Sequence, residues 1–500
     1  MEEGGRRRED ALVGVALVAV AVVCLVFRYL PMVDLPQHHA MVSILRHHGD
    51  PAWDFAHRYT FDFVGRPYAT VYWLAAALAL VFPLRVAMGL VVALATVAPF
   101  LGLWALLRAL ERPRAPLLLA LPLAFGSLWH WGFLNFLSGT GLFLGGLALA
   151  VHAARGAGRR DPLLLGLLGP LLLLTHFHGL VMLLLVAPIF ALAFGPDDRR
   201  RALLRGVAPL APAAVLAATF VLLTWRQAEG AWAQMNPPIG ERASRFVEFL
   251  AAGVLDPWPT VFVGGFFALA AVAMLVGVSD LSRRHRAALA LALALQVTFY
   301  LALPLNTNTA TFVSARHALL IALFVVPLIP DLRGRVALVV PAAFASLGLV
   351  VVVQHLAAFD REARELDAAI APLPENQRLL PLIFAPRSPT THPATFPYLH
   401  FGAYAQASHG GELSRTFATV WNVPIRYRAD YARYPIRESL EWTPHLVSPE
   451  DLRHFDYVLV RGAPRWPATL RLGGLEVVAR SGAFVLLRNP GALPAELPPR

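Results

Sequence analysis

Apolar runs recur along most of this chain at a length suited to membranes. They fall at residues 11–30, 69–83, 85–107, 115–129, 133–153, 162–175, 178–195, 206–225, 260–278, 287–305, 316–330 and 335–355. An α-helix needs about 20 such residues to cross the hydrocarbon core. The pattern predicts an all-α polytopic membrane region over residues 1–355. Two kinds of loop separate the runs. One kind is rich in arginine, at 108–114, 155–160, 199–205, 283–286 and 333–335. The other carries His, Asn, Trp and Asp. Basic loops stay in the cytoplasm, which predicts a cytoplasmic N-terminus. Residues 129–135, 175–179, 225–246, 303–317 and everything after 355 then lie outside. The stretch 67–107 must cross an odd number of times but contains two runs, so the expected total is 11 or 13 crossings.

Two regions break the apolar rhythm. Residues 31–66 form a first outer loop. In it Pro36 fits a first helical turn, and Ala40, Met41, Ile44 and Leu45 make an apolar stripe at helical spacing. We read a helix lying on the membrane surface there. Residues 356–500 read as a small extracytoplasmic α/β domain. It opens on a charged helix at 360–370, and strand-like runs follow at 379–384, 457–460, 475–479 and 484–487, punctuated by Gly and Pro.

Composition agrees with this picture. Of 500 residues, 57% are hydrophobic and 15% charged, and the mean hydropathy is +0.57. The net charge of +11 comes from arginine, since the sequence contains no lysine. Arginine gathered in short loops follows topology and does not imply nucleic acid. The one cysteine, Cys24, excludes an intrachain disulfide and a Cys-based metal site. The N-terminal apolar run lacks a small-residue cleavage site and reads as a retained helix.

Polar groups gather at the expected outer ends of the runs: Asp34, His38 and His39; His130 and Asn135; His176 and His178; Asn306 and Asn308; Arg316 and His317. Mid-span positions are almost all apolar, which speaks for a cavity open to the outer face and against an ion path. Asp34 has two compatible readings, a helix N-cap and a partly desolvated general base. Arg316 violates the positive-inside tendency. It either holds a phosphate with its planar fork or snorkels to headgroups. Arg66 is a second phosphate candidate. Asp34, His38, His176 and His178 have the donor types for zinc or another divalent metal. The alternative is histidines bonded to headgroups or backbone. His176 and His178 converge only if the chain is irregular before Gly179. Trp129, Trp131, Trp225, Trp232 and Trp258 read as an interfacial belt, and 225–246 as a lid over the cavity.

Three segments resemble those of a known group. Asp34-Leu35-Pro36-Gln37-His38 resembles the Asp-x-Pro-x-His opening of bacterial GT-C glycosyltransferases. Trp131-Gly132-Phe133-Leu134-Asn135-Phe136 and Ser314-Ala315-Arg316-His317-Ala318-Leu319 resemble two further segments of that superfamily. It uses polyprenyl-phosphate sugars and includes protein O-mannosyltransferases and lipid A aminoarabinose transferases. The resemblance covers residues 1–355; an acidic pair common in the group is Asp34-Leu35 here. It implies inverting transfer on the outer face of the inner (plasma) membrane. Asp34 would take the proton of an acceptor hydroxyl on a lipid, glycan or protein, and Arg316 or Arg66 would hold the departing lipid phosphate. His38, His176, His178, Asn135 and His317 would line the substrate site. The rival readings are a transporter, which would show mid-membrane charges or an internal repeat, and a non-catalytic scaffold or sensor.

Overall fold

Backbone groups in lipid must find partners within the chain, so apolar runs fold as helices. The computed structural model describes residues 3–62, 67–158, 160–224, 236–279, 281–307, 310–332, 334–420, 423–431, 439–462, 470 and 473–493. Arg66, Asn308, Trp225, Trp232 and half of the expected lid, residues 225–235, lie outside them. Among the described residues, 8 helices are long and apolar enough to cross a membrane. They are Gly4–Val26, Leu84–Ala109, Leu134–Arg155, Phe177–Phe194, Arg199–Leu223, Trp258–Val276, Arg283–Ala302 and Val336–Ile370. This is fewer than the 11 or 13 crossings expected, because several runs form shorter helices: Thr70–Ala79, Leu117–Trp131 and Arg316–Leu328. Pro122 opens a 3₁₀ turn within the second of these, and Pro327 does so within the third. Proline removes a backbone donor and disrupts the regular ladder.

The chain divides into two compact units, Met1–Cys24 with Val92–Trp129 and Phe133–Val353, and Leu25–Val91 with His130–Gly132 and Gln354–Arg500. In the first unit, loop arginines close helix ends. Arg112 is 2% exposed. It donates to the carbonyls of Pro327 at 3.0 Å and Ile329 at 2.9 Å. Arg155 donates to Ala109 O and Phe194 O, the ends of two helices. Cations at helix C-termini complement orphan carbonyls and the dipole. Trp129 departs from the belt reading. It is 1% exposed and donates to Thr96 Oγ1 at 2.8 Å.

The second unit carries the strands β1 (Tyr59–Phe61), β2 (Arg378–Ile383), β3 (Glu412–Leu413), β4 (Ile425–Tyr427), β5 (Tyr457–Arg461), β6 (Glu476–Ser481) and β7 (Phe484–Arg488). Five of them form a mixed sheet in the order β3-β2-β5-β7-β6. β2 is parallel to β3 and β5, while β5, β7 and β6 run antiparallel. Leu380, Leu382, Val458, Val460, Val485 and Leu487 form its core with Phe455. β1 pairs with β4, placing Tyr59 opposite Tyr427, so the first loop folds together with the C-terminal part.

The helix Leu35–Arg46 is not a surface helix. Leu35, Pro36, Gln37, His38, Ala40, Met41, Val42, Ser43 and Ile44 are all buried. It packs on the helices Ala403–His409 and Thr70–Ala79. Ser43 Oγ donates to Ala407 O at 2.9 Å. The stripe read as lipid-facing faces protein, and the opposite face is covered as well.

Replacing Arg112 with methionine should leave two buried carbonyls unpaired. A loss of about 1–3 kcal/mol per carbonyl is expected, read as a lowered Tm in detergent. An unchanged Tm would show that these bonds contribute nothing to stability.

Candidate functional site

Asp34 is set by its backbone. Val33 N donates to His130 O at 2.7 Å and Asp34 N to Trp131 O at 3.2 Å. Gly132 follows with φ +86, and a Cβ there would lie 2.9 Å from Asp34 Cβ. Glycine alone satisfies both conditions without strain. Asp34 precedes the helix Leu35–Arg46 but has helical φ −87 and ψ −11, and its side chain makes no capping bond. A capping residue normally takes extended ψ to turn its oxygen onto the first N–H groups. The cap reading therefore does not hold, and the carboxylate is available for other work.

That carboxylate faces His400. Asp34 Oδ1 lies 3.3 Å from His400 Nδ1, a Coulombic contact rather than an aligned hydrogen bond. His400 Nε2 is 2.7 Å from Glu441 Oε1, and Glu441 Oε2 is 2.5 Å from Arg415 Nη1. Gln37 donates to Arg415 O at 3.4 Å and accepts from Phe417 N at 3.1 Å. Gln37, His400, Arg415 and Glu441 also line a cavity of about 40 Å³. Burial alone would push the His400 imidazole's pKa down. The Glu441 charge and the Asp34 contact more than offset this and raise it to about 9. Burial likewise raises the Glu441 carboxyl's pKa, but His400 and Arg415 outweigh it, and the net shift is downward.

His38 is buried and fully engaged. Its Nδ1 lies 2.9 Å from Tyr72 Oη and its Nε2 lies 3.2 Å from Gly132 O. A carbonyl can only accept, so Nε2 carries the hydrogen and Nδ1 accepts from the tyrosine. Burial lowers the pKa of this ring more than the nearby Asp34 charge raises it. With both nitrogens occupied, His38 has no lone pair to offer a metal. Among the described residues, no group of three or more His, Cys, Asp or Glu is arranged to hold one.

The first unit gathers the remaining candidates. The chain is extended at His176, φ −164 and ψ 111, between the helices Arg160–Thr175 and Phe177–Phe194. This break is the irregularity that two histidines two residues apart require. Both rings stand edge-on to Phe136, at 5.5 and 6.0 Å. A Cβ at Gly139 would lie 2.6 Å from His176 Cβ, so this glycine admits the histidine. Arg316 opens its helix with the guanidinium over Phe133 at 5.4 Å and Phe136 at 5.7 Å. It lies 3.5 Å from His176 Nε2 and donates to Thr311 O at 3.1 Å. The His317 ring lies tilted against His178 at 4.8 Å, and its Nδ1 bonds Gln296 Oε1 at 2.8 Å. Asn135 Oδ1, His178 Nε2 and His317 Nε2 are buried without a hydrogen-bond partner among the described residues. Such atoms cost stability and call for a functional explanation.

The candidates thus form two clusters: Asp34 and His38 in one unit, and His176, His178, Arg316 and His317 with the Asn135 segment in the other. Within the one unit His130 and Trp131 lend carbonyls to the Asp34 loop, and within the other Phe133 and Phe136 lend rings to Arg316. Sequence reasoning missed His400, Arg415, Glu441 and Gln296. Gln296 had one signal, a lone amide in an apolar run. The other three carried none.

No family model matches the chain, and no curated protein matches it in sequence. Solved structures do. The crystal structure of ArnT from Cupriavidus metallidurans in the apo state aligns with TM-score 0.56 and 14% identity, covering 97% of this chain and 98% of that one. ArnT from the same organism bound to undecaprenyl phosphate aligns with TM-score 0.51 over the same shares. At such identity the likeness is one of fold. This is a multi-pass membrane protein with the fold seen in ArnT. The likeness extends beyond residue 355, where the sequence resemblance stopped, into the C-terminal part.

The histidine chain has a pH signature. The folded protein binds the His400 proton more tightly than an unfolded chain with the ordinary pKa of 6.5. Its stabilisation is therefore complete below pH 6.5 and fades as pH rises through about 9. Melting of the wild type should fall with pH across this window more steeply than melting of His400→Gln. Parallel curves would mean that the ion pair is not formed.

Proposed function

We propose that this protein transfers a sugar from a polyprenyl-phosphate donor to an acceptor hydroxyl, with inversion, on the outer face of the inner membrane. Its N-terminus is then cytoplasmic and its C-terminal part extracytoplasmic. What supports the reading is a carboxylate at the start of a buried helix that does not cap that helix. A capping aspartate has a sufficient structural reason to be there, and this one has another task. The GT-C fold supports the class of chemistry. So does the undecaprenyl phosphate bound to ArnT, a ligand of that protein.

The acceptor oxygen attacks the anomeric carbon while the bond from that carbon to the phosphate oxygen breaks. The acceptor proton passes to Asp34, and polyprenyl phosphate departs. Arg316, steadied by two aromatic faces, grips the phosphate oxygens. His176, His178 and Asn135 supply further polar contacts to the donor. A general base of this kind contributes about 10²–10⁴ in rate.

The test supplies a panel of undecaprenyl-phosphate-linked hexoses and pentoses, with membrane extract as the acceptor source. Released undecaprenyl phosphate reports turnover. Asp34→Asn should lose about 10²–10⁴ in kcat while still melting cooperatively and keeping its stabilisation by undecaprenyl phosphate. Full activity in that variant removes Asp34 from the mechanism. Arg316→Ala should bind undecaprenyl phosphate about 10–100-fold more weakly, the value of a lost charge-assisted bond. Undiminished stabilisation by this lipid would assign the phosphate to another cation.

A further inference from the structure

Beside Asp34 the second unit holds three charged side chains that the transfer reaction does not use, His400, Glu441 and Arg415. Asp34, His400, Glu441 and Arg415 form an unbroken line of ion pairs at 3.3, 2.7 and 2.5 Å. The His400 and Glu441 side chains are 8% and 10% exposed. Burying a charge is costly, and leaving one without its partner is strongly destabilising. Two cations and two anions alternate here, so the line is neutral when His400 is protonated. Among the described residues, His400 is the side-chain partner of Asp34.

We infer that His400 is a positioning residue for Asp34, itself held by Glu441 and Arg415, and that it fixes one carboxylate oxygen so that the other meets the acceptor hydroxyl. The inference rests on Asp34 being the base. Its geometry is specific. Nδ1 faces Asp34, while Nε2 is fixed by Glu441 on the short helix Ser439–Trp442. The ring cannot turn without breaking the shorter contact. Phe417 stands edge-on to it at 5.7 Å and blocks sideways motion. Gln37, on the helix that Asp34 precedes, ties that helix to Arg415 and Phe417. The C-terminal part of the chain thereby sets the aim of a residue near its start.

His400 positions and does not relay the proton. A ring already charged at neutral pH cannot accept a second proton. The charged and titratable groups around it are Asp34, Glu441, Arg415 through Glu441, and the neutral His38. His38 is held neutral by burial. Loss of the His400 proton is therefore the event that loosens Asp34 at alkaline pH.

The experiment measures pH–rate profiles of the full-length protein with undecaprenyl-phosphate sugars as donor. The wild type should lose kcat on an alkaline limb near pH 9. In His400→Gln, kcat should be about 10²-fold lower, the scale of a misplaced reacting group, with the donor KM little changed and the limb abolished. In Glu441→Gln the limb should move to lower pH, which keeps the test open if His400→Gln does not fold. Folding of each variant is checked by cooperative melting. A folded His400→Gln with wild-type kcat and an intact limb overturns the inference, as does an unmoved limb in Glu441→Gln. Either result combined with an inactive Asp34→Asn refutes the positioning role and leaves the base role standing. An active Asp34→Asn refutes the base role itself.

Discussion

The site depends on one constraint: Asp34 sits at the entrance of a helix without spending its carboxylate on that helix. Helical dihedrals at residue 34 turn the side chain away from the first N–H groups. Two backbone bonds to residues 130 and 131 hold the loop, and a glycine at 132 makes room for the acid's own Cβ. Each condition is local and cheap. Together they present a carboxylate to His400, and the line continuing through Glu441 to Arg415 keeps those buried charges paired.

The second cluster answers a different need. Arg316 lies over two aromatic faces, beside His176, and donates to Thr311 O. Among the described residues, buried nitrogen and oxygen atoms on His178, His317 and Asn135 lack hydrogen-bond partners, and such atoms call for an explanation. Loop arginines elsewhere, such as Arg112 and Arg155, spend their donors on helix-end carbonyls and have an ordinary structural explanation.

Much of the fold was legible in the sequence. The strand-like runs at 379–384, 457–460, 475–479 and 484–487 match β2, β5, β6 and β7 within a residue or two. Short apolar stretches rich in Val and Leu, bounded by Gly and Pro, have few other options. The need for a break at His176 was legible too, because two residues two apart on a regular helix diverge. The burial of Leu35–Arg46 was not, because its partner helix Ala403–His409 lies far along the chain. Trp129 misled for a similar reason: an aromatic at the end of an apolar run fits the belt and the core equally well. His400, Arg415 and Glu441 left no local pattern, since their meaning arises from tertiary proximity to Asp34.

The most direct measurement of the base role is chemical rescue. Asp34→Gly leaves room for a small carboxylate, so added formate should restore turnover of an undecaprenyl-phosphate sugar in a saturable way. The same concentrations should leave the wild type unaffected. Turnover by the glycine variant at the wild-type rate, with no formate present, would contradict the account.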